Sequence, residues 1–523
     1  MDLPYVVIAF SALLAVTAVA LWKRRMRPSL PLPPGPRPLP ILGNLFDMPT
    51  KQLGSSLRDM ADKYGDVVYL DILGQPMVVV NSFEATLTIL ESRSANTSDR
   101  PQSPMAELCG FLWQFSLKGY TQTWRQYRKD FHSTFHPNAI PPYRPIHLRE
   151  CRRLLQRLLE TPKNYLAIAR HAFSATIMDA VYGIVVAERD DPVLARAEKV
   201  TARFSNIVTP GKYLVEVLPA LRFLPSWLPG AQFKRNAEKW RPEIAAARDE
   251  TFHISMDAIV RGDARPCALA SLVEKAMQKD GAISEQESER FRDVTAIAFL
   301  AGADTTLNSM HAFFLAMVQF PEAQKKAQRE LDAVIGPDRL PEFADRDALP
   351  YVRALVKEVI RWHSVAPTAI AHRTVDEDEY KGYRIPAGSI IVPNSWAMSQ
   401  DPVAYPQPEQ FIPERFLQSY SGKGGSEVRD PERFQFGFGR RICPGRHFAN
   451  DALFLAVASV LHTFDIRAPL GLDGKPLPVA PKIVRDFFLS YPESFECTIT
   501  PRSEKAAVLI RSSDISGPKD GNV

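Results

Sequence analysis

The sequence predicts a mostly α-helical protein with small β-sheets, built as an N-terminal transmembrane helix followed by one large domain. Three observations carry this reading. From residue 83 to residue 370 apolar positions keep a helical rhythm that prolines interrupt. Short β-branched runs at residues 66–81 and 380–392 flank that stretch and read as hairpins. Ahead of everything stands Tyr5 to Trp22, apolar and free of charge.

Such a run spans roughly 27 Å as a helix, enough for a bilayer core. Lys23, Arg24, Arg25 and Arg27 follow it directly, whereas only Asp2 precedes. Positive charge on that side keeps the remainder cytosolic and is the reverse of a cleaved signal peptide. Residues 1–27 are therefore expected to be a membrane anchor with its basic flank. The segment Pro31-Leu32-Pro33-Pro34-Gly35-Pro36-Arg37-Pro38 excludes a helix, so residues 28–45 read as a stiff proline-rich hinge. The large domain covers 46–502, and the polar tail 503–523 reads as disordered.

Composition narrows the function. A hydrophobic content of 45% and a charged content of 24% are those of a globular protein. The net charge of +5 is mild, with no basic stripe interleaved with aromatics, which excludes a nucleic-acid partner. Cys109, Cys151, Cys267, Cys443 and Cys497 are odd in number and scattered without a C-x-x-C. They predict neither a disulfide framework nor a structural zinc, and they suit a reducing compartment.

Along the chain, Val67–Leu70 and Met77–Val80 form the first hairpin around Gly74-Gln75. Trp124 and Arg128 share one helix face. Ile207 to Lys234 is apolar yet cut by prolines, unlike a plain core helix. Phe291 to Phe320 is the longest periodic stretch, and its apolar surround makes it a buried helix. Ala301-Gly302-Ala303-Asp304-Thr305-Thr306 interrupts it with helix-weakening residues and an acid that burial penalises unless partnered or used. Glu358 and Arg361 are opposite charges three apart. Tyr383–Val392 makes the second hairpin, and residues 419–430 a polar surface insertion. Phe487-Phe488-Leu489 heads a last hairpin whose aromatic tip would reach an internal cavity.

The most informative run is Phe436-Gly437-Phe438-Gly439-Arg440-Arg441-Ile442-Cys443-Pro444-Gly445. Glycines let a loop wrap closely, and the helix expected over Arg446–Leu461 would put the sulfur near its N-terminus, where negative charge is favoured. Such a thiolate suits a metal centre.

The spacing of Phe436, Gly439, Arg441, Cys443 and Gly445 resembles the haem-binding loop of the cytochrome P450 family. Further motifs of the family occur in its order: Trp124-x-x-x-Arg128, Ala301-Gly-x-Asp-Thr305, and Glu358-x-x-Arg361 with Phe411-Ile-Pro-Glu-Arg415-Phe. The resemblance covers nearly the whole chain and implies a fungal-type, membrane-anchored haem-thiolate monooxygenase with the cytochrome P450 fold. It implies haem b held axially by Cys443. Trp124, Arg128, His372 and Arg441 would meet the propionates, with Ala301 and Phe436 also against the cofactor. Asp304 and Thr305 would deliver protons, while Glu358, Arg361 and Arg415 would form a structural charge network. Ile207–Lys234 would roof the substrate cavity and touch the membrane. Ser364 stands where relatives commonly carry proline, which implies a looser loop.

The activity implied is insertion of one oxygen atom from O2 into a lipophilic small molecule, with a terpenoid favoured, in fungal secondary metabolism. NADPH–cytochrome P450 reductase would supply electrons, with cytochrome b5 as a further donor. The location implied is the endoplasmic reticulum membrane, single-pass, with the catalytic domain cytosolic. The alternatives are a haem-thiolate isomerase or dehydratase that needs no reductase, and a non-catalytic membrane haem sensor or carrier. The Asp304-Thr305 pair and the apolar roof weigh against both.

Overall fold

A computed structural model describes residues 30–49, 51–209, 211–417, 428–484 and 489–513. The expected anchor, most of the polar insertion and the tip Phe487-Phe488 lie outside the described residues. Among the described residues no helix is long and apolar enough to cross a membrane.

After α1 (Leu53–Tyr64), β1 (Val67–Ile72) and β2 (Gln75–Val80) pair antiparallel with Val68 opposite Val79, as expected. Helices then take over: α2 (Pro104–Cys109), α3 (Gln122–Phe135), α4 (Arg144–Glu160), α5 (Tyr165–Tyr182), α6 (Pro192–Ile207), α7 (Leu214–Val217), α8 (Gln232–Arg261) and α9 (Ala268–Asp280). The spine is α10 (Glu285–Gln319), opened by a capping box between Ser284 and Glu287 and buried on most sides from Phe291 to Met317. Gly302 lies where α5 crosses it, and a Cβ there would stand 3.1 Å from Ile177 Cγ1. The glycine that weakens the helix locally is thus what admits its neighbour. Two further helices, α11 (Pro321–Val334) and α12 (Pro350–Trp362), complete the helical half.

The strands that follow correct the expected second hairpin. β4 (Asp378–Tyr380) pairs with β5 (Tyr383–Ile385) around Lys381-Gly382, both at positive φ. β6 (Ile390–Pro393) leaves this pair to lie parallel to β2 and antiparallel to β3 (His372–Arg373), giving the order β1-β2-β6-β3. The branched side chains of β6 gain more burial between two strands than at a hairpin edge; Ile391 is fully buried. The last long helix, α13 (Arg446–Thr463), leads into β7 (Phe464–Arg467). β8 (Ile483–Val484) pairs with β9 (Tyr491–Pro492), and β10 (Thr498–Pro501) pairs back onto β7.

Both flanking segments depart from the sequence reading. The proline-rich stretch, over its described residues, is a docked strap and not a hinge. The Pro31 carbonyl accepts from Arg384 N at 2.7 Å, and the Pro34 carbonyl accepts from Tyr69 N at 2.9 Å. Prolines donate nothing, but their carbonyls remain free to satisfy the outward N–H groups of β1 and β5. The tail is helical over α14 (Glu504–Ser512), not disordered from residue 503. Ser503 caps it, and Ala507 and Ile510, three apart, bury one stripe. A polar window average hides so short an apolar face.

Candidate functional site

Walls from α3, α6, α10, the chain after α12 and the start of α13 enclose a cavity of about 310 Å³. Trp124, Arg128, Ala301 and Thr305 line it, as do His372, Phe436, Arg441 and Cys443. These are the residues that the sequence singled out around the cysteine loop, with Asp304 missing.

The cysteine loop owes its shape to backbone that only glycine tolerates well. Gly437 and Gly439 have φ of +79° and +53°, and a Cβ on Gly439 would fall 2.2 Å from the Leu90 carbonyl oxygen. Cys443 N donates to the Phe436 carbonyl at 2.7 Å and closes the loop on itself. Gly445 caps α13 as the spacing predicts. Burial pushes the Cys443 thiol up, opposed by the N–H groups of Gly445 and Arg446 and by the guanidinium groups of Arg128 and Arg446. A bound cation would tip that balance toward the thiolate.

Cationic side chains gather at one edge of the cavity. Arg441 Nε donates to the Ser98 carbonyl at 2.7 Å and Nη2 to the Lys118 carbonyl at 2.8 Å, while its guanidinium stacks 4.2 Å from the Trp124 ring. Burial pushes its pKa down to about 10. Arg100, which no sequence motif marks, also lines the cavity and donates to the Ile370 and Ala371 carbonyls at 2.7 and 2.6 Å. It enters only because loop 98–103 folds against the chain leading into β3. His372 Nδ1 lies 2.9 Å from the Thr97 carbonyl, and burial, with Arg100 next, drives its pKa well below the ordinary value. Arg128 is held down mainly by burial.

Negative charge is scarce by comparison. Asp99 acts on Arg100 and Arg441 through its field, but its oxygens meet Tyr120 N at 2.9 Å and Arg373 at 4.0 Å. The Trp124 indole N–H is buried without a partner among the described residues. A buried orphan donor beside surplus positive charge is costly unless an anion completes it. The residues fit a flat apolar ligand carrying carboxylates at this edge and a metal facing Cys443, which is the chemistry of iron-protoporphyrin.

Asp304 faces elsewhere. Its Oδ1 accepts from Arg170 Nη1 of α5 at 2.7 Å, whereas Thr305, the neighbour that lines the cavity, donates its hydroxyl to the Ala301 carbonyl at 2.8 Å. Adjacent helical residues point about 100° apart, which lets Asp304 turn toward α5 while Thr305 lines the cavity. Of the two residues expected to deliver protons, Thr305 lines the cavity and Asp304 does not.

The family profile of cytochrome P450 matches residues 33–485. The cytochrome P450 monooxygenase COX1 of Coprinopsis cinerea is 40% identical over 97% of this chain and 99% of its own length. COX2 of the same fungus is 39% identical over 97% of this chain and 95% of its own. The tryptamine 4-monooxygenase of Psilocybe cyanescens is 37% identical over 92% of this chain and 95% of its own. This chain belongs to the cytochrome P450 family.

As a P450 it is a haem-thiolate monooxygenase, with Cys443 as the axial cysteine, a redox-partner reductase and a small-molecule substrate. Its expected charge network is present. Glu358 and Arg361 are fully buried and meet through two bonds of 2.7 and 2.8 Å. Arg361 also donates to the Ser399, Pro408 and Gln410 carbonyls. Arg415, from the distant Pro413–Phe416 turn, adds a contact of 3.4 Å to Glu358 and caps the Gln407 carbonyl at 2.7 Å. The loop expected to be loose at Ser364 is tied instead. Ser364 Oγ donates to Gln435 Oε1 at 2.8 Å, directly before Phe436. A serine can make that bond and a proline cannot. The proline-broken segment presents Leu214, Phe223 and Trp227 to the exterior at 70%, 75% and 76% exposure. Leu489 of the last hairpin lines the cavity.

Proposed function

We propose that this P450 is an anchored monooxygenase that places one oxygen atom from O2 into an uncharged lipophilic molecule of fungal secondary metabolism, with a terpenoid scaffold first. The observation that carries the reading is the apolar wall of the cavity, where Ile297, Ala298, Val365, Ala366 and Ile370 stand together. Such a wall selects by shape and hydrophobic contact. The substrate named for the Psilocybe relative bears an ammonium. Among the described residues lining this cavity there is no carboxylate to meet one.

Bound haem supplies the oxygen chemistry. The chain's own residues hold and serve it. Cys443 provides the thiolate from the buried loop, while Trp124, Arg128, His372 and Arg441 receive the two carboxylates. Thr305 presents its hydroxyl at the cavity wall and hands protons inward. Asp304, paired with half-exposed Arg170, exchanges protons with solvent and reaches Thr305 by releasing that arginine. The exposed Leu214, Phe223 and Trp227 rest in the lipid surface, beside a single-pass anchor in the endoplasmic reticulum membrane with the catalytic domain cytosolic. Electrons come from NADPH–cytochrome P450 reductase, with cytochrome b5 as a second donor.

Reconstitution with that reductase and a terpenoid panel tests the reading. NADPH should be consumed in step with a hydroxylated product, and Cys443→Ser should abolish the reduced carbon-monoxide band of a thiolate haem. Product formed without reductase would favour the isomerase alternative, and a persisting band would remove Cys443 from its role.

A further inference from the structure

The cavity lining carries one unpartnered hydroxyl among the described residues. On α6, Thr201 and Ser205 stand one turn apart on the same face, with Phe204 beside them, and all three line the cavity. Thr201 is buried, and its hydroxyl donates to the Ala197 carbonyl at 3.0 Å, which leaves its oxygen able only to accept. Ser205 is different. Its hydroxyl has no partner among the described residues, and its carbonyl is used by Thr209. On the neighbouring α10 the lining is apolar at Ile297, Ala298, Leu300 and Ala301, and the hydroxyls of Thr305, Thr306 and Ser309 are already donated to the carbonyls of Ala301, Gly302 and Thr305.

A hydrocarbon filling this space would strip water from the Ser205 hydroxyl and leave it only a back-bond to its own helix, so binding would carry part of the cost of an unpaired polar group. A ligand with its own oxygen at that point removes the cost: a hydroxyl can accept from Ser205 and donate to Thr201, and a carbonyl can accept from Ser205. Resting on the lipophilic-substrate reading above, we propose that Ser205, with Thr201 as its acceptor, is a specificity-determining residue. Ser205 takes a hydroxyl or carbonyl already present on the substrate, and Thr201 adds an acceptor where that group is a hydroxyl. The substrate class is then an uncharged, oxygenated lipophile, an alcohol or ketone and not the parent hydrocarbon. The reaction that supplies it must install that oxygen, either by an earlier oxidation or by a cyclisation that ends in capture of water. The oxygen is held at the α6 wall, and Cys443 stands at the start of α13. Oxidation therefore falls at a carbon away from the group already in place.

The test is spectral titration of the haem-loaded protein with matched pairs of terpene hydrocarbons and their alcohols or ketones. The readout is the substrate-induced shift of the haem band, for the wild type and for Ser205→Ala. The expected result is tighter binding of the oxygenated member by roughly ten-fold in the wild type, the size of one matched polar contact. In Ser205→Ala the preference falls to within about two-fold because the alcohol weakens while the hydrocarbon does not. A purely structural serine would weaken both members together, and that result overturns the proposal. So does an undiminished preference in the variant, or hydrocarbon bound as tightly as alcohol by the wild type. An intact reduced carbon-monoxide band certifies the variant's fold. If that band forms and no member of any pair binds the wild type, the lipophilic-substrate reading falls, and the Ser205 assignment falls with it.

Discussion

Arg361 and Arg415 are buried with a carboxylate between them, whereas Arg100, Arg128 and Arg441 are gathered around the cavity with backbone carbonyls and an aromatic ring for company. The first group is closed by Glu358, and its hydrogen bonds fasten α12 to the Pro413–Phe416 turn. The second holds its guanidinium groups in place but leaves their charge uncancelled. The contrast separates architecture from receptivity. Charge that is neutralised within the chain fixes the fold, and charge left over makes folding and the capture of an anionic cofactor one coupled event.

Breaking the closed cluster should have the largest effect. Glu358→Ala leaves two buried guanidinium groups without their anion, and the expected cost is about 3–5 kcal/mol. Chemical unfolding of the haem-loaded protein measures it, and an unchanged midpoint would erase the distinction drawn here. The open cluster should respond with a change of sign. Arg128→Ala removes a cation that Arg446 and Arg441 repel, so the haem-free protein should melt at an equal or higher temperature. The loaded variant should lose haem roughly ten-fold faster to an acceptor globin, as expected for one charge-assisted contact. Faster loss accompanied by a destabilised haem-free protein would place Arg128 with the architectural group.

Asp293 is an intermediate case, and its effect should be the smallest. It accepts from Tyr127 at 2.8 Å and from Arg248 at 3.1 Å, yet burial outweighs both and pushes its carboxyl up to about 6. Its folded pKa lies above the unfolded one, so its stabilising contribution is complete below about pH 4 and is lost as pH rises through about 6. Melting temperature followed across that window should fall for the wild type and stay flatter for Asp293→Asn. Parallel profiles would show that Arg248 compensates the charge fully.

Much of this was legible in the sequence where local geometry and chemistry coincide. The cysteine loop is one example, since its glycines and its helix start are neighbours in the chain. Glu358 and Arg361 are another, because three residues of helix set their distance. Arg100 was not legible, because its role depends on the approach of segments far apart in sequence. The facing of Asp304 and Thr305 was not legible, because a step of about 100° between neighbours leaves open which of them meets the cavity, and the position of Arg170 on α5 decides it. The helix over Glu504–Ser512 was hidden by averaging, as Ala507 and Ile510 are too few to lift a polar window. The strap was hidden because a proline run advertises what it cannot do and not what its carbonyls can accept.

That strap settles where the chain can be shortened. A protein beginning at residue 30 keeps the carbonyls that cover Tyr69 and Arg384, whereas one beginning at residue 46 bares both N–H groups. The outer strand of the four-stranded sheet would then offer an unprotected template to a second molecule, and trimming for solubility would produce aggregation instead.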